Sequence, residues 1–171
     1  MLNIFKAGEE NIQEHINDIY TITKSAFALY KDNLHAEISL GALSETKEDI
    51  LKDIRQNTVY IAEKNGKILG SLRISRLSSD VAYLYRFAVD TDERNKGVGA
   101  ELLSYAVEEC KKDGYSVIAL HTNSKYYKLA RYYYGMNFYV HSTDSSRGYI
   151  RALFLKELTD KPVDISCAFK K

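Results

Sequence analysis

The stretch Arg94-Asn95-Lys96-Gly97-Val98-Gly99-Ala100 is the most informative part of this sequence. It follows the apolar run Tyr83 to Val89 and leads into the helical pattern of Glu101 to Lys112, so the predicted order is strand, glycine-rich turn, helix. The start of a helix leaves four backbone N–H groups without intrahelical partners and carries a partial positive charge. Glycines at that point let an anion approach closely, and the stretch therefore predicts a binding site for the phosphates of a cofactor.

The spacing of the glycines excludes two common phosphate motifs. A dinucleotide fingerprint needs a third glycine where Leu102 stands, and a Walker loop needs Gly-Lys-Ser/Thr in place of Gly97-Val98-Gly99. The wider string FAVDTDERNKGVG, residues 87–99, resembles the acyl-CoA signature of the GNAT superfamily of N-acetyltransferases. This resemblance implies acetyl-CoA as the cosubstrate and a set of residues that bind it. The set is Phe87, Ala88 and Val89 for the pantetheine arm, and Arg94, Asn95, Lys96, Gly97, Val98, Gly99 and Ala100 for the pyrophosphate.

A second block, LARYYYGMNF at residues 129–138, resembles the later helix of the same family, which ends in Phe-Tyr, three residues, then Gly-Phe. Tyr132 and Tyr133 fall on the first pair, and Asn137 and Phe138 fall on the second. Asn137 replaces a glycine at a position that asks for a left-handed residue, a conformation that Asn tolerates. By its alignment with the family, Tyr133 is the predicted proton donor to the leaving thiolate.

The rest of the chain predicts an α/β fold with a mixed sheet and about four helices. We expect one GNAT-type domain over residues 1–158 and a tail over 159–171, with Pro162 as the end of the packed fold. Antiparallel strands come first, and a central parallel pair follows, which the resemblance implies is splayed around the cofactor. Four helices are predicted: one through Ile12 to Phe27, one that Ser44 opens around Ile50, one at 97–112 and one at 125–136. Six strands are predicted, at 58–62, 67–74, 81–89, 116–121, 138–142 and 149–158. A hairpin turn at Asn65-Gly66 joins the first two strands.

Composition excludes several classes of protein. The 171 residues carry 24 Lys plus Arg against 23 Asp plus Glu, which does not favour nucleic acid or an anionic membrane as the partner. No apolar run reaches the roughly 18 residues of a membrane span, and no secretory signal is visible, so we expect a cytoplasmic protein. The two cysteines, Cys110 and Cys167, predict neither a disulfide framework nor a metal site.

The implied reaction transfers an acetyl group from a thioester to an amine by direct attack through a tetrahedral intermediate. An amine attacks only when neutral, and a lysine-like amine is neutral in roughly one molecule per thousand at pH 7. We expect a backbone N–H near Val89 to stabilise the oxyanion, and His121, at the end of a strand beside the cleft, to serve as the base. The alternatives for the base are ordered water and the side chains of Tyr85, Glu63, Asp80 and Glu37.

The acceptor is the part of the function that the sequence leaves open. The resemblance implies that it is bound by the segments Lys31 to Leu43, which includes His35 and Glu37, and Thr143 to Gly148. A small molecule and a protein amine both remain candidates. The alternatives to an enzyme are a catalytically silent CoA-binding sensor of the same fold and a small interaction module; a homodimer is one open assembly.

Overall fold

A computed structural model describes residues 1–8, 10–34 and 38–171. Within these ranges, the chain forms seven strands and five α-helices. They are β1 (Asn3–Lys6), α1 (Ile12–Asp32), α2 (Gly41–Ser44), α3 (Lys47–Gln56), β2 (Thr58–Lys64), β3 (Lys67–Arg76), β4 (Val81–Val89), α4 (Val98–Lys112), β5 (Val117–Asn123), α5 (Tyr127–Gly135), β6 (Tyr139–Asp144) and β7 (Arg151–Glu157). Two short 3-10 helices, Thr91–Glu93 and Ser166–Lys170, complete the set.

All seven strands form one mixed sheet in the order β1-β2-β3-β4-β5-β7-β6. Every neighbouring pair is antiparallel except β4 and β5, which run parallel because the crossover helix α4 joins them. The parallel pairing covers only three residue pairs, from Val81 opposite Val117 to Tyr83 opposite Ala119. Both strands continue beyond that point, so they separate, and the predicted mixed sheet with a splayed parallel pair is confirmed.

The sheet has a helix layer on each face because its strands alternate apolar residues between the two faces. In β2, Tyr60 and Ala62 pack with α4 and α5, whereas Val59 and Ile61 pack with α1 and α3. Ile19 of α1, on the second face, is fully buried. Burial of one such side chain stabilises the fold by about 1.5–3 kcal/mol, which holds the helices firmly on the sheet.

Local sequence signals were correct at two turns and misplaced at one. Asn65 and Gly66 both have positive φ, 54° and 78°, as a two-residue hairpin of the predicted kind requires. Asn137 has a φ of 60°, the left-handed conformation predicted for it. The predicted second helix corresponds to α3, and it does not begin at Ser44. Thr46 and Asp49 form a capping box that starts α3 at Lys47.

Three elements have no counterpart in the sequence prediction. These are β1, α2 and the packed tail beyond Pro162. Ala168 is completely buried, and Val163 and Ile165 pack with it against the β5–β7 region. Pro162 is therefore not the end of the packed fold, because a short apolar segment follows it and returns to the sheet. Cys110 and Cys167 are both free.

Candidate active site

A cleft of about 1130 Å³ opens where β4 and β5 separate. Its walls come from the end of α1, the turn before α4, the start of α4, helix α5 and the β6–β7 connection. Tyr30 fixes the α1 wall, since its hydroxyl accepts a hydrogen bond from the N–H of Asn123 at 2.9 Å. The cleft is thus built by elements from both halves of the chain.

A bulge in β4 shapes the floor of this cleft. Ser71 lies opposite Ala88 and Arg73 lies opposite Tyr85, so β4 contains one more residue than β3 between those pairs. Arg86, in the bulge, has a φ of 52°. A non-glycine residue in this conformation costs about 1–2 kcal/mol, which the surrounding contacts must offset. Beyond Tyr83 the described chain shows no pairing of β4 with β5, which leaves the edge of β4 open to a ligand.

A buried ionic network supports the bulge from beneath. Arg73, whose side chain is completely buried, forms two parallel hydrogen bonds of 2.7 Å with Glu45 and one of 2.6 Å with Asp53. Burial opposes the charge of Arg73, but these carboxylates raise its pKa above the ordinary value. Glu45 also accepts a 3.0 Å hydrogen bond from Nε of Arg86. The network therefore fixes Arg86 through a paired, buried carboxylate.

The glycine turn presents an open helix start to the cleft. Gly97 is the N-cap of α4 with a φ of 90°, and no side chain of the described residues caps the helix. The first backbone hydrogen bond runs from Glu101 N–H to Gly97 oxygen at 3.0 Å, so the N–H groups of the first turn remain available. A Cβ at Gly99 would lie 3.4 Å from the side chains of Phe87 and Tyr132. The close packing at Gly99 and the left-handed φ at Gly97 explain the glycines, and the arrangement fits a bound phosphate.

The structure brings most of the predicted cofactor residues together. The cleft is lined by Phe87, Ala88, Val89, Arg94, Asn95, Gly97, Gly99 and Ala100. The side chain of Val98 is buried in the core beside α4. Lys96 lies 3.3 Å from Glu93 and, with Val98, lines a separate cavity of about 190 Å³. Cofactor binding by each of these residues stays a prediction.

Two neighbouring tyrosines of α5, Tyr132 and Tyr133, line the cleft. Tyr133 is 5% exposed and packs against Phe138 and Phe154 at ring distances of 5.7 and 5.6 Å. Burial raises its pKa well above the ordinary value, so its hydroxyl stays protonated. Burial also raises the pKa of Tyr132 to about 12, and among the described residues its hydroxyl has no hydrogen-bond partner. An unpartnered buried hydroxyl is unfavourable, which makes Tyr132 a candidate contact for a ligand.

His121 also lies in the cleft, as a neutral imidazole. Burial, followed by the charge of Arg151, lowers its pKa to about 4. Its Nδ1 atom lies 3.0 Å from the hydroxyl of Tyr83. The other predicted bases do not line the cleft where the chain is described: Tyr85 hydrogen-bonds Asp53, and Glu63 and Asp80 lie elsewhere. Glu37, the last alternative, lies outside the described residues, as does His35.

Sequence reasoning missed several polar residues of the cleft. These residues are Arg86, Tyr149, Arg151 and Lys171, together with Arg147 of the predicted Thr143 to Gly148 segment. No local pattern marks them, because the bulge, the β6–β7 connection and the folded tail bring them to the cleft. In the described ranges, no helix is long and apolar enough to cross a membrane, and no three His, Cys, Asp or Glu side chains form a metal-binding group.

Comparison with known proteins gives one consistent result. Residues 17–138 match the family model described as the acetyltransferase (GNAT) family. The S-(2-succino)cysteine N-acetyltransferase of Bacillus subtilis (strain 168) is 30% identical over 119 residues, which are 64% of this chain and 72% of that protein.

Solved structures with low sequence identity share the fold. The PaiA N-acetyltransferase of Thermoplasma acidophilum, in complex with coenzyme A, has a TM-score of 0.72 at 20% identity and covers 92% of this chain and 99% of its own. A GNAT family acetyltransferase of Elizabethkingia anophelis with acetyl-CoA bound has a TM-score of 0.66 at 16% identity and covers 92% of this chain and 98% of its own.

Proposed function

We infer the reaction from one premise, that the chain belongs to the acetyltransferase (GNAT) family. It is an acetyl-CoA-dependent N-acetyltransferase. We propose that it transfers the acetyl group to the primary amine of an acceptor by direct attack through a tetrahedral intermediate. The observation that carries this proposal is the cleft itself, in which an open strand edge on β4 and an uncapped helix start on α4 lie together.

Acetyl-CoA supplies an acetyl group activated as a thioester, and the chain supplies the binding groups. The N–H groups of Val98, Gly99 and Ala100, with Arg94, would hold the pyrophosphate. The open edge of β4 from Phe87 to Val89 would pair with the amides of the pantetheine arm. The left-handed Gly97 and the close packing at Gly99 support this assignment, because side chains there would be strained or crowded.

The amine must lose a proton to attack. Burial and the charges of Arg151 and Arg147 lower the pKa of His121, and Asp144 partly opposes them. Burial and the two arginines would likewise lower the pKa of an ammonium group bound nearby. A larger fraction of the acceptor is then neutral. His121 is unprotonated at pH 7 and can accept the proton, but a group with a pKa of about 4 retains it weakly. We propose that His121 relays this proton to solvent.

The remaining steps use a backbone donor and a hydroxyl. In the collapse of the intermediate the new C–N bond remains, the C–S bond breaks, and the electron pair stays on sulfur. The N–H of Val89 would stabilise the oxyanion formed before that step. Tyr133, whose hydroxyl burial keeps protonated, would donate its proton to the thiolate and regain one from solvent.

One alternative within the family is a catalytically silent CoA-binding sensor, which would keep the cleft without transfer. The distinguishing experiment is a thiol-release assay with acetyl-CoA over a panel of amines, with mass spectrometry of the acceptor. S-(2-succino)cysteine belongs in the panel because the relative from Bacillus subtilis is named for it. We expect one acetyl group on nitrogen and at least about a hundredfold lower kcat for Tyr133→Phe.

The matched control is Tyr134→Phe, which alters an exposed tyrosine of the same helix. We expect its kcat to stay within about twofold of the wild type. Equal activity of Tyr133→Phe and Tyr134→Phe would remove Tyr133 from the mechanism. Binding of acetyl-CoA without acetylation of any amine would favour the silent sensor. The cytoplasmic location and the homodimer stay predictions from the sequence.

A further inference from the structure

Two guanidinium groups converge on a single oxygen at the far end of the cleft. Nη2 of Arg147 and Nη1 of Arg151 donate to the main-chain oxygen of Lys171 at 2.9 and 3.1 Å. Arg147 is exposed, whereas the side chain of Arg151 is only 7% exposed. All three residues line the cleft that holds His121. The pair presents hydrogen-bond donors in the geometry that suits a carboxylate.

The end of the cleft around Arg147, Arg151 and Lys171 keeps a net positive charge when the ion pair between Arg151 and Asp144 is counted. Asp144 accepts from Arg151, with Oδ2 3.0 Å from Nη2, and neutralises one cation. Arg147 keeps its charge, and Nζ of Lys171 adds another at 5.8 Å from the ring of Tyr83. A carboxylate bound to these donors would form charge-assisted hydrogen bonds.

Lys171 reaches this position because the tail before it is anchored. Ala168 is fully buried, and the ring of Phe169 lies 5.7 Å from that of His141 on β6. After Ala168 the exposed fraction rises, with Phe169 at 52% and Lys171 also exposed. The N–H of Lys171 donates to the oxygen of Ala168 at 3.2 Å, so movement of Lys171 away from the arginines breaks this hydrogen bond.

We propose that Arg147 and Arg151 form a carboxylate subsite for the acceptor, and that the Lys171 oxygen occupies it until an acceptor displaces it. The acceptor class is then a primary amine that carries a carboxylate, such as an amino acid. This inference rests on the proposed N-acetyltransferase function. The tail acts as a built-in competitor, so acceptor affinity includes the free energy of its displacement.

The first test compares acceptors in matched pairs, an amino acid and its primary amide, with wild type and Arg147→Gln. The ratio of kcat/KM for acid over amide is measured in each protein, and the comparison of ratios cancels the different amine pKa values. We expect Arg147→Gln to lower this ratio about tenfold to a hundredfold. Arg131→Gln, at an exposed position of α5, is the control and should leave it unchanged. An unchanged ratio in Arg147→Gln would overturn the subsite.

The second test does not depend on transfer. Succinate is titrated calorimetrically into wild type, Arg147→Gln and a variant that lacks Lys170 and Lys171. We expect binding at least about tenfold weaker in Arg147→Gln and several-fold tighter in the shortened variant, because the competing oxygen is gone. Equal binding by all three would overturn the inference. A complete loss of acetyl transfer with normal succinate binding would contradict the proposed function instead.

Discussion

Substitution of Gly97 by glutamate would test the phosphate assignment by its charge. Gly97 caps α4 with a φ of 90°, and a Cβ there would have Glu101 as its nearest neighbour at 3.8 Å. A side chain therefore fits in space, and its conformation costs about 1–2 kcal/mol. A carboxylate at the positive end of the helix recovers about 0.3–1 kcal/mol, so we expect the variant to fold.

The same carboxylate would oppose a bound pyrophosphate. Two unit charges about 4 Å apart repel by about 1 kcal/mol in water and about 4 kcal/mol at an effective dielectric constant near 20. Each 1.4 kcal/mol is a factor of ten, so we expect the Kd for CoA to rise by about fivefold to a thousandfold. Isothermal titration with CoA measures the change directly, and Gly97→Ala separates backbone strain from charge.

A matched control lies at the other end of the same helix. Gly114 has a φ of 84°, and a Cβ there would meet nothing within 4 Å. Gly114→Glu adds the same charge and a similar strain away from the cleft, so its Kd for CoA should equal that of the wild type. A Gly97→Glu protein that binds CoA within about twofold of Gly114→Glu would refute the pyrophosphate assignment.

Three further changes probe the site through stability. Tyr132→Phe removes a buried, unpartnered hydroxyl, so the free protein should become up to about 2 kcal/mol more stable in urea unfolding while CoA binding weakens; unchanged binding would exclude a ligand contact. Glu45→Ala leaves the buried Arg73 without its bidentate partner and should lower the free energy of unfolding by about 3–5 kcal/mol. The control Glu48→Ala, at an exposed position, should lower it by under about 0.5 kcal/mol. Similar losses in the two variants would contradict a stabilising role of the network. The pKa of His121 is about 4 in the folded chain and 6.5 in an ordinary environment. Between these two pH values the unfolded chain therefore binds one more proton than the folded chain. As a result, this residue lowers the free energy of unfolding by about 2 kcal/mol from pH 7 to pH 5. His121→Gln should lose that part of the pH dependence, and an equal dependence in both proteins would show that the imidazole titrates normally.

Local sequence signals were sufficient where one residue type determines the backbone. Asn65-Gly66 and Asn137 adopt the left-handed conformations that their residue types predict. Gly97 does so at the start of α4, where the sequence predicted a glycine turn before a helix. The parallel pairing of β4 with β5 could be predicted because a helix lies between the two strands in the sequence.

The rest of the cleft could not be predicted because its geometry depends on contacts distant in sequence. Arg86 has a positive φ that nothing in its residue type favours, and it is held by Glu45 from another part of the chain. Lys171 reaches Arg147 only because the tail folds back across the sheet. The tail itself is short and without a clear hydrophobic period, so its sequence does not indicate that it packs beyond Pro162.

Calorimetric titration of the protein with acetyl-CoA tests most directly the claim that this cleft is an acetyl-CoA site. The account predicts a Kd on the order of micromolar, near −8 kcal/mol, together with thermal stabilisation at saturation. No heat and no stabilisation at a saturating concentration of acetyl-CoA would contradict it.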